Sequence, residues 1–88
     1  MAAIITSAKW KGDKEIEVRG QNFKSNPSTS EVKVKNNNHS EEDVFSVFDA
    51  ASVLTVTTNL VAQGTAGAMV KVMGTDGVFS SYAAVEDS

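Results

Sequence analysis

A single histidine, His39, stands in the polar run Asn36-Asn37-Asn38-His39-Ser40, followed at once by Glu41, Glu42 and Asp43, with Asp49 further on. Imidazole and carboxylates move protons and hold metals, so chemistry would be sought here first. One imidazole with no cysteine is a poor metal site. Calcium takes roughly six to eight oxygens, and the spacing of an EF-hand loop is absent. The run from Val44 to Phe48 also separates Asp49 from the other acids. A charged, solvated loop is the simpler reading. Ser and Asp are frequent enough for a Ser-His-Asp triad, yet no nucleophile elbow or glycine-rich oxyanion loop occurs. No catalytic, cofactor-binding or metal-binding residue is assigned, and no enzymatic activity is expected, because catalysis needs a preorganised pocket that excludes water.

Two other groups of residues suit recognition better than reaction. Trp10, flanked by Lys9 and Lys11, could stack on a sugar ring if it lay on a surface, or pack against the core near the first turn. Met69 and Met73 fall on the face of their segment opposite Val70 and Val72. With Phe79 and Tyr82 on the neighbouring segment they would form an apolar patch. Methionine adapts to irregular partners, so such a patch reads as a docking surface.

Positioning these side chains is the work of strands. Glu15-Ile16-Glu17-Val18-Arg19 alternates charged with branched residues, and Gly20-Gln21-Asn22-Phe23 then ends the pattern with an aromatic ring. The alternation predicts further strands over Ala3–Trp10, Glu31–Lys35, Val44–Phe48, Val53–Thr58, Ala66–Val72 and Val78–Val85. Asn36–Asp43 reads as an exposed loop, and Asp49–Ser52 as a connection or a single helical turn. Asp76-Gly77 is a hairpin signal, placing the last two strands side by side and antiparallel. Two sheets closing on Ile16, Val18, Val32, Val34, Leu54, Val56, Val70 and Val72 give an all-β, two-sheet, immunoglobulin-like sandwich of about seven antiparallel strands. A small closed barrel is the alternative.

The 88 residues make a single domain, 1–88, with 41% hydrophobic and 22% charged residues and no cysteine to form a disulfide. The net charge of −3, with Lys9, Lys11 and Lys14 the densest basic group, argues against nucleic acid as a partner, which demands clustered cations. No apolar run approaches the roughly 20 residues that span a bilayer, so no membrane is expected, and Met1-Ala2-Ala3-Ile4-Ile5 lacks the apolar core of a secretion signal.

The segment Ile16-Glu17-Val18-Arg19-Gly20-Gln21-Asn22-Phe23 resembles the strand-and-corner pattern of the IPT/TIG family of immunoglobulin-like domains. Leu54-Thr55-Val56-Thr57, then Thr65-Ala66-Gly67-Ala68-Met69-Val70-Lys71-Val72, then Gly77 with Ser80-Ser81 are similar to that family's second half. Two features depart from it: Thr58-Asn59 stands where a proline commonly closes the fifth strand, and the acidic stretch from Asn36 to Asp43 has no counterpart. The residues themselves give structural roles: Gly20 lets the chain bend without a Cβ clash, Asn22 tolerates left-handed torsions, and Phe23 plugs the end of the sandwich.

The expectation is a non-enzymatic structural or binding module without cofactor, whose partner is a protein, either an assembly lattice or a neighbouring domain. A chain with Met first and no secretion signal fits a small virion protein of a tailed bacteriophage, decorating capsid or tail. The rival is an accessory, adhesion or glycan-binding domain from a longer secreted or cell-surface protein. Trp10 or Tyr82 would then meet the sugar.

Overall fold

Where branched and polar residues alternate, every second side chain points to one side of a strand, and that side must be covered. The computed structural model shows how it is covered. It describes residues 2–12, 14–25, 27–36, 39–43, 45–50, 52–57 and 67–86, with residues 29, 39–43 and 45–50 described by backbone alone. Val44, Thr58 and Ala66, part of the strand assignments above, Thr65 of the family resemblance, and the side chains of His39, Glu41, Glu42, Asp43 and Asp49 lie outside the described residues.

Eight strands occur among them: β1 (Ile4–Gly12), β2 (Glu15–Gln21), β3 (Val32–Asn36), β4 (His39–Asp43), β5 (Phe45–Ala50), β6 (Val53–Thr57), β7 (Met69–Val72) and β8 (Ala83–Ala84). They form two four-stranded sheets, ordered β1-β2-β6-β5 and β4-β3-β7-β8, and every ladder within a sheet is antiparallel. With strands lettered along the chain, the first sheet is the A-B-E-D sheet of an immunoglobulin sandwich. The second is C-F-G with one added strand beside C. The fold is an immunoglobulin-like β-sandwich.

Register shows why the core closes. Ile16 stands opposite Val56 and Val18 opposite Leu54, while in the other sheet Val32 faces Val72 and Val34 faces Val70. All eight are fully buried, as the alternation requires, and each contributes on the order of 1.5–3 kcal/mol through burial. Trp10, Phe23, Ala3, Ala8 and Ala68 complete the core.

Several boundaries differ from the sequence reading: the first strand runs on to Gly12, Glu31 lies in a 3-10 turn before β3, and β7 begins only at Met69. The stretch read as an exposed loop from Asn36 to Asp43 contains β4, which pairs with β3 through Lys33 opposite Asp43 and Asn36 opposite His39. An edge strand needs a partner on one side only and is commonly charged, so it lacks the apolar alternation that reveals inner strands. The connection at Asp49–Ser52 is shorter than expected because β5 runs on to Ala50. The last strand is not continuous from Val78 to Val85: it pairs at Phe79 with Met73 and resumes in β8.

Candidate docking face

The β2–β3 corner fixes the end of the sheet that carries the methionines and rings. Asn22 turns with φ 62, in the left-handed region where an amide side chain is tolerated. Its Nδ2 donates to the Ala2 carbonyl at 3.3 Å, and its own carbonyl accepts from Thr75 N at 3.0 Å. Phe23, fully buried, bridges to Gly74, while Lys24 N donates to the Met73 carbonyl at 3.0 Å and Met73 N to that of Glu31 at 2.9 Å. Gly20 is required by proximity. A Cβ there would sit 1.9 Å from the Ile4 carbonyl oxygen and 2.8 Å from the Phe23 ring. Lys24 and Glu31 form an ion pair beside the corner. That Lys24 hydrogen bond, followed by one from Ser28 N, holds the Glu31 carboxyl below its ordinary value.

From Met73 the chain turns through Gly74-Thr75-Asp76-Gly77. Gly77 N donates to the Gly74 carbonyl at 3.0 Å, Gly77 adopts φ 78, and Asp76 Oδ1 accepts from Val78 N at 3.0 Å. A type I turn closed by a glycine in the left-handed region is the common three-residue hairpin solution. Returning, Ser80 extends the ladder: its N donates to the Val72 carbonyl at 2.8 Å and its Oγ accepts from Val72 N at 3.1 Å.

Because Val70 and Val72 point inward, Met69, Lys71 and Met73 share the outer face, as do Lys33 and Lys35 on β3. Met69, Met73, Phe79 and Tyr82 are half-buried there, covered more than a free apolar patch would be. Lysines do much of the covering. Lys71 Nζ lies 4.4 Å from the centre of the Phe79 ring and 5.1 Å from that of Tyr82, and Lys35 Nζ lies 4.2 Å from the Tyr82 ring. Lys33 and Lys71 are direct cross-strand partners, an arrangement of like charges that costs stability by itself. Attraction between ammonium and ring face offsets part of that cost. Val78, 59% exposed, stands beside the hairpin tip.

Trp10 belongs elsewhere. It is 1% exposed, its backbone N donates to the Glu86 carbonyl at 2.9 Å, and its ring is part of the core. No ring face is left for a sugar, so the assignment of Trp10 as a glycan-stacking residue is corrected. Alternation explains the burial, since Lys9 and Lys11 point out and the residue between them points in. Lys35 and Lys71 went unassigned in the sequence, although the spacing that placed Met69 outside also places Lys71 there.

No protein-family model matches the chain, and no curated protein or solved structure matches it.

Proposed function

We propose that this chain is a non-enzymatic immunoglobulin-like module of IPT/TIG type that docks on the surface of a protein assembly, with the outer face of the β4-β3-β7-β8 sheet as its contact surface. The reading rests on Phe79 and Tyr82, aromatic rings carried on an outer face and covered by lysine ammonium groups instead of core side chains. Rings that combine apolar area with few rotatable bonds are the anchors that interfaces favour. The IPT/TIG assignment rests on the Gly20-Gln21-Asn22-Phe23 corner and the Gly77-to-Ser80 return, whose structural roles agree with the pattern. The setting we propose is the virion of a tailed bacteriophage, with the module decorating capsid or tail.

The test is co-sedimentation of the purified chain with capsid and tail particles from the cells that produce it. Pelleting of the chain, reduced at least roughly tenfold by Phe79→Ala combined with Tyr82→Ala, is the expected result; losing about 1.4 kcal/mol of contact suffices for that factor. A folded chain that stays in the supernatant with every particle sinks the proposal.

A further inference from the structure

The seam between the first and last strands is only half closed. β1 pairs with β2 along its length, and on its other edge it meets the chain's last segment in parallel at Lys9 and Glu86. There Trp10 N donates to the Glu86 carbonyl at 2.9 Å and Glu86 N to that of Ala8 at 2.8 Å. Six places back along both strands stand Ala3 and Ser80, and four places back Ile5 and Tyr82. A continued parallel ladder would join these residues. Among the described residues it stops, and a groove of about 180 Å3 opens between Ala3–Ile5 and Ser80–Ala83. Near that point β1 carries a register shift between Ile5 and Ser7, one extra residue against β2 of the kind that bends a strand.

The groove suits an extended chain. Its two walls run in the same direction, so a segment entering in the opposite direction would lie antiparallel to whichever edge it joins, the more stable pairing. Its volume is below the roughly 300–1,000 Å3 of drug-sized ligand pockets and fits a side chain or two. The walls are apolar at Ala3, Ile4, Ile5 and Ala83, and Ile4 is 55% exposed. Charge selects the occupant: Tyr82 lines the groove and also lies under Lys35 and Lys71. Carboxylates on the alternate residues of an inserted strand would reach those ammonium groups.

We propose that this seam takes an added strand from a partner protein: a short extended segment with apolar side chains turned into the groove and acidic ones turned toward Lys35 and Lys71. The inference rests on the docking reading for the nature of the partner and names the edge and chemistry by which it binds.

The probe is a short synthetic peptide alternating valine with glutamate, titrated into the isotope-labelled chain and followed by amide chemical shifts and hydrogen exchange. Expected are shifts and slowed exchange at Ile4, Ile5 and residues 80–83, with no effect from a valine–lysine peptide. Lys35→Glu combined with Lys71→Glu should weaken binding roughly fivefold to tenfold. Ile4→Asp, at an exposed position where folding survives, should abolish it by placing a carboxylate in the groove. Perturbation confined to the lysines, with the seam unchanged, overturns strand addition and leaves face docking intact. A concentration-dependent dimer that closes the seam without peptide also overturns it, giving the groove to a second copy. If Ile4→Asp leaves particle co-sedimentation intact while the Phe79 and Tyr82 substitutions abolish it, the docking reading stands and this one falls.

Discussion

The β2–β3 corner and the outer face of β3 and β7 are adjacent, and each uses phenylalanine beside a lysine, yet to opposite ends. At the corner Phe23 is fully buried and Lys24 pairs with a carboxylate. On the face Phe79 is half-buried and Lys71 has the ring itself as its neighbour. The corner consumes its interactions internally, through backbone bonds that tie Asn22, Lys24 and Glu31 to Thr75 and Met73. The face instead sets lysine ammonium groups over half-buried rings on the outside of the sheet. Stability is concentrated in the first region and capacity for binding in the second.

Substitutions can break that division. Gly20→Ala should do most damage. The new methyl meets the Ile4 backbone, which cannot rotate aside as a side chain would. A loss on the order of 4 kcal/mol, or no cooperative unfolding at all, is expected in urea titration. Phe23→Ala should cost about 3–4 kcal/mol through the cavity it leaves. Phe79→Ala, by contrast, should cost less than about 1.5 kcal/mol. Equal losses for the two phenylalanines would dissolve the distinction between corner and face.

Glu31 sharpens it through pH. A carboxyl held below its ordinary value of 4.5 adds stability that is complete above that value and is lost as pH falls through the folded value. Lys24→Met should therefore destabilise near neutral pH, and the difference from the parent should vanish once Glu31 is protonated. A gap that persists in acid would show that Lys24 acts through packing rather than charge. The smallest effect belongs to Lys71→Ala: a change within about 1 kcal/mol, since removing the ring contact also relieves the like-charge pairing with Lys33.

Most of the sandwich is legible in the sequence because most of it is alternation. Ile16 and Val18, Val32 and Val34, Leu54 and Val56, and Val70 and Val72 declare their faces by spacing alone. Asp76-Gly77 fixes which strands are neighbours. β4 is not legible, because His39-Ser40-Glu41-Glu42-Asp43 is polar throughout and an edge strand does not need an apolar side. The docking face was half legible. Strand spacing put Met69 and Met73 outside, but lysine over a ring depends on which strands are paired and in what register. The half-open seam was not legible at all. It depends on one extra residue in β1 and on a meeting between residues at opposite ends of the chain.

That meeting has a mechanical consequence. Segments that run parallel and leave the domain at opposite ends are loaded in shear when those ends are pulled. The two bonds that join Ala8 and Trp10 to Glu86 must then fail together rather than one after the other. Resistance to force is set by the unfolding barrier, which differs from equilibrium stability. A module built this way would hold under sudden tension more firmly than its modest core suggests.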